Sequence, residues 1–320
     1  MPLASKIAHD RISVAICTYN PRRDYLDRVL TSLKSQTLPS SQWDLLIIDN
    51  CSEPPVAESF NLDWHPSGRI IRENELGIAN ARIRAMTDFG GELLVFLDDD
   101  NVIADNYLEC CLRLFAERPD LGAVSGCLMP EYEVPPPEWL APYESWIAIR
   151  RIKSSTWSNF FDSRSEPVTA GMCLRRKVAE AHIRSASENP MLQLLGSRGR
   201  SLMRGEDVAI SKTALKLGCS IGQFPQLQLL HLIPKSRLAP DYLFSLYRHL
   251  CASGRLMGWI ENPKAIPPRF PDWRFCLKAI LRLMKGSNID RRLVVEDFRA
   301  ISLARAIAKE ALRIKAESGH

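Results

Sequence analysis

The chain has 320 residues, 46% of them hydrophobic, so it can fill the core of one large domain or two smaller ones. Its formal net charge is +5 and its lysines and arginines are interspersed with acids, a pattern that gives no indication of nucleic-acid binding. No stretch is apolar for the roughly eighteen residues that a membrane span needs, and residues 1–10 lack the apolar core of a signal peptide. We therefore expect a protein that is soluble or only peripherally attached to a membrane.

The nine cysteines are scattered without the paired spacing of metal sites. We interpret them as buried thiols in a reducing compartment, with a disulfide framework as the alternative. The predicted location is the cytoplasm, with peripheral contact at the inner face of the membrane as an open possibility.

Apolar runs alternate with amphipathic stretches in the first hundred residues. They predict, in chain order, a strand over 12–18, a helix over 24–37, a strand over 43–50, a strand over 69–72, a helix over 77–89 and a strand over 94–97. Strand, helix and strand form a βαβ unit, which is typical of a parallel sheet covered by helices. Ligands bind outside the carboxyl ends of the strands in such sheets, and several of these runs end in polar residues.

The remainder of the chain begins in the same way and then becomes irregular. It predicts a helix ending at 118, a strand over 122–127, a strand over 168–174, a helix from 204 to 216, a strand over 227–234, helices from 240 onward and a break over 263–271. Residues 131–157 hold three consecutive prolines and three tryptophans, which we interpret as a lid or an acceptor-side wall, or as simple packing. The basic amphipathic stretch 273–315 is either a helical pair folded on the core or a dock for an anionic membrane.

The strand over 94–97 ends in three consecutive carboxylates, Asp98, Asp99 and Asp100. Adjacent acids repel one another, so a positive partner is expected beside them. Hard oxygen ligands suit Mg²⁺ or Mn²⁺, and such ions usually also hold a substrate phosphate. A solvated turn that caps a helix is the alternative, since Asp and Asn favour helix starts.

Four motifs occur in a fixed order within one hundred residues: Thr-Tyr-Asn at 18–20, Asp-Asn-Cys-Ser at 49–52, the segment 73–82 and Phe-Leu-Asp-Asp-Asp at 96–100. In this combination the chain resembles a family 2 glycosyltransferase of the GT-A fold. The resemblance is strong over about 11–130, fair around 206–231 and weak beyond about 260.

The resemblance implies an α/β, GT-A fold with a Rossmann-like, mostly parallel sheet flanked by helices and a helical C-terminal extension. We expect a nucleotide-sugar-binding and catalytic domain over 1–235, with its acceptor-side part at about 128–235, and a helical region over 236–320.

The resemblance also assigns roles to single residues. It implies nucleotide-donor binding by the strand ends and the loops beside them: Thr18, Tyr19, Asn20, Asp49, Asn74, Gly77, Arg82, Asp98 and Asp99. Asp49 would bond the base, and Arg82 would lie near the diphosphate, although it could instead be a surface charge. Asp100 would be the direct metal ligand, with Asp98 on the metal side. His231 would approach the metal or diphosphate, or else be a core histidine.

Family members carry an acidic pair at the start of a later helix, and Glu206 and Asp207 match it. In an inverting displacement a carboxylate must take a proton from the attacking acceptor hydroxyl. We assign this base to Asp207, with a helix-capping acid as the alternative. Glu206 would orient the site or be the base itself.

Together these features imply a metal-dependent, inverting glycosyltransferase that uses Mn²⁺ or Mg²⁺ and moves a sugar from a nucleotide sugar, for which we expect a UDP-sugar, to an acceptor hydroxyl. The acceptor is left open among glycan, lipid-linked, protein and small-molecule classes, with cell-surface glycan or glycoconjugate assembly as a setting. One alternative is a metal-dependent nucleotidyl or phosphoryl transferase, although the chain has no Gly-rich phosphate loop. Another is a non-catalytic scaffold of the same fold.

Overall fold

A computed structural model describes residues 11–199, 201–262 and 273–317. The predicted break at 263–271 and the N-terminal residues 1–10 lie outside the described residues. The strands are β1 (Ile12–Thr18), β2 (Trp43–Asn50), β3 (Gly68–Glu73), β4 (Leu93–Asp98), β5 (Asn101–Ile103), β6 (Leu121–Tyr132), β7 (Thr156–Ser158), β8 (Cys173–Arg175) and β9 (Ser220–Ile233). The α-helices are α1 (Arg23–Lys34), α2 (Ile78–Asp88), α3 (Tyr107–Glu117), α4 (Arg176–Glu188), α5 (Glu206–Lys216), α6 (Pro240–Glu261), α7 (Trp273–Lys285) and α8 (Asn288–Glu317).

The described strands form one mixed sheet in the order β3-β2-β1-β4-β8-β6-β9-β5, with β7 paired to β9. Strands β3, β2, β1 and β4 pair with one another in parallel, and β6 pairs in parallel with β9. The pairings of β8, β5 and β7 are antiparallel. The parallel half matches the βαβ alternation of the sequence.

The register of the parallel strands sets which residues meet at their carboxyl ends. Thr18 at the end of β1 lies opposite Asp49 on β2, and Asp49 lies opposite Arg72 on β3. On the other side of β1, Cys17 lies opposite Asp98 at the end of β4. The polar strand ends are therefore gathered at one edge of the sheet.

Alternate residues of the buried strands contribute to two hydrophobic clusters. Ile16 and Val95 belong to one cluster, which also includes residues of α1 and α3, whereas Ala15 and Phe96 belong to the other, which includes residues of α2, α4 and α5. Because successive side chains of a strand point to opposite faces, the sheet is covered on both faces. Every residue of β1 and β2 is buried, as their nearly continuous apolar runs predict.

Several predicted boundaries differ from the observed ones. Strand β6 extends beyond the predicted 122–127, and β9 begins at Ser220, well before the predicted 227–234, because the two strands pair with each other along most of their length. Pro225 of β9 lies at a register shift in this pairing. The predicted strand 168–174 is reduced to β8, because Gly171 takes a positive φ of 74° and turns the chain before Cys173. Helix α1 ends at Lys34 rather than at residue 37.

The described residues divide into two compact units: the first holds 11–188 and 206–234, and the second holds the described residues of 189–205, together with 235–262 and 273–317. In the second unit α6 packs on α8, where Arg248 donates a 2.6 Å hydrogen bond to the buried Glu296. None of the helices in the described residues is long and apolar enough to cross a membrane. The predicted domain division at residue 235 stays a prediction.

Candidate active site

The carboxylate of Asp49 is buried and organises the loop after β2. It accepts hydrogen bonds from the backbone N–H groups of Ser52 (2.9 Å) and Val56 (3.0 Å) and from the guanidinium of Arg72 (2.6 Å). Burial raises the pKa of Asp49, but the hydrogen bonds from Ser52, Val56 and Arg72 outweigh it and hold the pKa below its usual range. Asp49 is therefore an ionised, fixed acceptor, and its contact with a base stays a prediction.

The loops after β1 and β2 are joined by a reciprocal pair of hydrogen bonds. The side-chain oxygen of Asn20 accepts from the N–H of Glu53 (2.8 Å), and the N–H of Asn20 donates to the hydroxyl of Ser52 (2.9 Å). Asn20 has a positive φ of 49°, which asparagine tolerates better than most residues. The side chain of Tyr19 is exposed beside this junction.

Asn50 holds the segment that leads into α2. Its side-chain amide donates to the carbonyl of Glu75 (2.7 Å), and its side-chain oxygen accepts from the N–H of Gly77 (2.7 Å). Gly77 has a φ of 138°, a conformation that glycine adopts without the strain of a Cβ. Asn74 is exposed within the same loop, and its predicted role in donor binding stays a prediction.

The first two aspartates of the acidic run have different partners. The hydroxyl of the buried Thr18 donates to Asp99, which links the ends of β1 and β4. The carboxylate of Asp98 accepts a 3.2 Å hydrogen bond from the guanidinium of Arg82. The backbone N–H of Asp98 donates a 3.0 Å hydrogen bond to the side-chain oxygen of Asn101. The run is therefore a tight turn between β4 and β5 in which each carboxylate points to a separate neighbour.

Arg82 connects the acidic run to the start of α5. Its buried guanidinium donates to Glu206 at 2.6 Å and to Asp98 at 3.2 Å. Burial lowers the pKa of Arg82, but the negative charges of Glu206 and Asp98 raise it above its ordinary value. One cation therefore joins the predicted donor side and the predicted catalytic acids.

The pairing of β5 with β9 brings Asp100 to His231. Asn101 lies opposite His231 in the antiparallel register, and the N–H of Leu232 donates to the carbonyl of Asp100 at 2.9 Å. The Nε2 atom of His231 lies 3.5 Å from Oδ2 of Asp100, and both side chains are buried. Two residues predicted as metal ligands from distant parts of the sequence are thus neighbours.

The carboxylate of Asp100 is a hard oxygen ligand that suits Mn²⁺ or Mg²⁺ completed by phosphate oxygens, whereas the imidazole of His231 is a nitrogen ligand more typical of zinc, copper, iron or nickel. The described residues contain no group of three or more His, Cys, Asp or Glu side chains placed to hold a metal by themselves. Magnesium is commonly held by one or two carboxylates together with substrate phosphates, and the carboxylate of Asp100 fits such a site. Asp98 is directed to Arg82 instead, and its predicted metal contact stays a prediction.

Asp207 lies in the first turn of α5, partly exposed and among charged side chains. Burial lowers the pKa of Arg150, and the negative charge of Asp207 partly offsets this effect. Burial, and then the charge of Asp207, raise the pKa of Glu166 to about 7. The positive charge of Lys212 on the same helix acts in the opposite direction and lowers the pKa of Glu166. The start of α5 therefore presents a carboxylate beside a second acid that titrates near neutral pH.

Sequence reasoning gave no individual role to several residues that build this site. Asn50, Ser52 and Arg72 follow or end predicted strands, and this position was a usable signal. Arg150 stands in the irregular region and Glu166 just before the predicted strand 168–174. Neither carried a signal, because only the fold brings them to α5.

Residues 13–182 match the family model described as Glycosyl transferase family 2, and this region is more than half of the chain. The chain belongs to this family of glycosyltransferases. The predicted resemblance is thereby confirmed.

A curated relative from Haemophilus influenzae, named an uncharacterized glycosyltransferase, is 28% identical over 113 residues, which cover 35% of this chain and 37% of the relative. Poly(ribitol-phosphate) beta-N-acetylglucosaminyltransferase TarS of Staphylococcus aureus is 26% identical over 96 residues, 29% of this chain and 17% of that protein. The alignments thus span well under half of these relatives.

Among solved structures, residues 1–349 of S. aureus TarS in complex with UDP-GlcNAc superpose with a TM-score of 0.51 at 11% identity, covering 94% of this chain and 92% of that one. At this identity the likeness concerns the fold alone. It agrees with the family match, and the predicted GT-A fold is confirmed.

Proposed function

We propose that this protein is a metal-dependent, inverting glycosyltransferase that transfers a sugar from a nucleotide sugar to an acceptor hydroxyl. The observation that carries the proposal is the link through Arg82, which touches both Asp98 and Glu206. This link fixes the acidic strand end and the start of α5 relative to each other. A donor bound at the strand ends would then have its reactive carbon held near Asp207.

The donor would bind at the carboxyl ends of β1, β2 and β4. Asp49, ionised and fixed by hydrogen bonds from Ser52, Val56 and Arg72 at the end of β2, would face the base of the donor. An ionised carboxylate is an acceptor that suits the N–H of uracil, so we expect a UDP-sugar. TarS, which shares the fold, has been solved with UDP-GlcNAc.

Asp100 and His231 would hold Mn²⁺ or Mg²⁺, with Asp98 nearby in the turn. When bound, the ion would neutralise charge that develops on the leaving nucleoside diphosphate. The burial of both side chains keeps them fixed before any ligand arrives.

Asp207 would take the proton of the acceptor hydroxyl as that oxygen attacks the sugar carbon. Glu206 is committed to Arg82, which supports a positioning role for it and leaves Asp207 as the base. Cys17, the thiol beside Asp98, is buried, and burial raises its pKa above the ordinary value, so it stays protonated. A retaining route through a thiolate therefore has no support at this position.

The acceptor would approach Asp207 from the side of Arg150 and Glu166. These two residues lie in the region between 128 and 235 that was predicted to contact the acceptor. We retain hydroxyl groups of glycans, lipid-linked sugars, proteins and small molecules as the acceptor classes, in cell-surface glycan or glycoconjugate assembly.

Calorimetric titration of UDP, GDP and dTDP, each with and without Mn²⁺, tests the donor half of the proposal. We expect metal-dependent binding of UDP and loss of the metal dependence in Asp100→Ala. A metal-independent affinity, or undiminished metal dependence in the variant, would contradict the assignment of the metal site. No binding of any nucleotide would favour a non-catalytic scaffold.

Product analysis with a UDP-sugar and a mixture of hydroxyl acceptors tests the reaction class. Glycosyl transfer releases free nucleoside diphosphate. Release of pyrophosphate or of a nucleoside monophosphate would instead indicate a nucleotidyl or phosphoryl transferase.

A further inference from the structure

Helix α7 in the second unit exposes an unusual amount of apolar surface. Five large side chains on one face are between 46% and 71% exposed: Trp273, Leu277, Ile280, Leu281 and Met284. They recur at intervals of three and four residues, which places them on one side of a helix. This set is called the α7 apolar face below.

The opposite side of α7 packs on α8. Phe275 stacks edge-to-face on Phe298 with ring centroids 5.7 Å apart, and Ala279 is buried. Arg282 lies 3.6 Å from carboxylate oxygens of both Asp290 and Asp297. Because α7 is anchored through this side, its apolar face is directed away from α8.

Basic residues border the apolar face. Arg274, Lys278 and Lys285 are exposed, and α7 contains no acidic residue. On a helix of 3.6 residues per turn these three cations fall in one strip beside Leu281. An apolar face with a cationic border is the pattern of helices that lie in the plane of an anionic membrane surface.

We propose that α7 docks the protein on an anionic lipid bilayer, with the apolar face inserted among the headgroups and Arg274, Lys278 and Lys285 contacting lipid phosphates. Thirteen residues make a helix about 20 Å long, too short for a bilayer core of about 30 Å, so the helix lies flat. Trp273 suits this position, because tryptophan is favoured at membrane interfaces. The dock does not depend on the proposed sugar transfer.

Charge decides between a membrane and a second copy of the chain. A second α7 laid on the first would bring cations against cations, with no acid on either helix to neutralise them. Anionic headgroups supply the complementary charge. A bilayer is therefore the occupant that both the apolar and the charged residues fit.

Co-sedimentation of the full chain with vesicles tests this proposal. We expect binding to vesicles of phosphatidylcholine with 30% phosphatidylglycerol, in about the anionic range of natural leaflets, and little binding to pure phosphatidylcholine. Met284→Ser should weaken binding about tenfold, since it removes one inserted apolar side chain. Lys278→Gln and Lys285→Gln should each weaken it about fivefold and reduce its salt sensitivity.

Matched controls lie in the first unit. Leu217→Ser removes an exposed apolar side chain and Lys177→Gln an exposed cation, and neither should alter vesicle binding. Equal binding to neutral vesicles, or equal losses in these controls, would overturn the proposal. So would sedimentation velocity that shows a dimer lost in Met284→Ser while vesicle binding is unchanged. UDP titration of the same variants separates a failed dock from a failed donor site.

Discussion

Arg82 on α2 donates a 2.6 Å hydrogen bond to Glu206 at the start of α5, across 124 positions of the sequence. Both side chains are buried, and Arg82 compensates the charge of Glu206 while it also contacts Asp98. Removing one partner of such a pair is far more destabilising than replacing both with apolar residues. The pair therefore stabilises the contact between α2 and the start of α5 and is also a component of the candidate active site.

Arg82→Met should lower the free energy of unfolding by about 3–5 kcal/mol, because it leaves Glu206 buried without its cation. Urea unfolding at neutral pH measures the change. Arg84→Met on the same helix is the matched control, since the Arg84 pair with Asp88 is partly exposed and should contribute less than about 1 kcal/mol. Equal effects of the two substitutions would show that the pair with Glu206 is not stabilising.

Asp207→Asn should lower kcat by a factor of about 10²–10⁴ while the affinity for UDP is unchanged, because the amide cannot accept the acceptor proton. Initial rates and calorimetry on the same preparation measure the two quantities. Asp241→Asn, an exposed acid in the first turn of α6, controls for a general effect on helix starts. Intact turnover in Asp207→Asn would make the assignment of the base wrong.

Glu166→Gln should stabilise the protein at pH 8.5 relative to the parent and have little effect at pH 4.5. The pKa of Glu166 is raised from 4.5 to about 7 in the folded protein, so the folded state binds this proton more tightly than the unfolded state. The parent therefore loses stability as the pH rises from about 4.5 to 7. Glu166 is partly exposed, so we expect a difference of about 1–2 kcal/mol.

Urea unfolding of both proteins at the two pH values measures this difference. Glu180 is an exposed glutamate on α4, and Glu180→Gln is the control. It should change the free energy of unfolding by the same amount at both pH values. A pH-independent effect of Glu166→Gln would mean that the carboxyl does not titrate near neutral pH.

His182→Gln should remove part of the acid sensitivity of the protein. His182 on α4 is buried with its Nδ1 atom 3.4 Å from the hydroxyl of Thr213, and burial lowers its pKa from 6.5 to about 4. Its neutral form contributes fully above pH 6.5, and this contribution is lost as the pH falls towards 4. The loss between pH 7 and pH 4.5 amounts to about 2 kcal/mol, which unfolding curves at these two pH values should show in the parent and not in the variant.

His249→Gln on α6 is the comparison for this experiment, because it removes a histidine from the second unit. An identical fall in stability for His182→Gln and the parent would contradict the role given to burial.

The parallel half of the sheet was predictable because its strands are buried on both faces. Strands β1 and β2 have the predicted bounds, since unbroken apolar runs leave few alternatives. Helix α1 was predicted three residues too long, and the N–H of Thr37 instead donates to the carbonyl of Asp105 at 2.7 Å. That contact is tertiary and is not encoded in the local pattern.

The antiparallel half was harder to predict. Strand β5 has three residues, too few for a periodic signal, yet its pairing with β9 places His231 beside Asp100. Helix α4 was not predicted, although it contributes the buried His182. The resemblance implied that Asp100 and His231 approach one metal, and the pairing of β5 with β9 shows how the fold makes them neighbours.

The reciprocal bonds between Asn20 and the loop after β2 also bear on how this site can be altered. Each loop supplies both a donor and an acceptor to the other, through Ser52 and Glu53 on one side and Asn20 on the other. A chimaera that takes only one of the two loops from another family member would leave polar groups without partners in both. An exchange of these loops should therefore transplant both of them together, as a single unit.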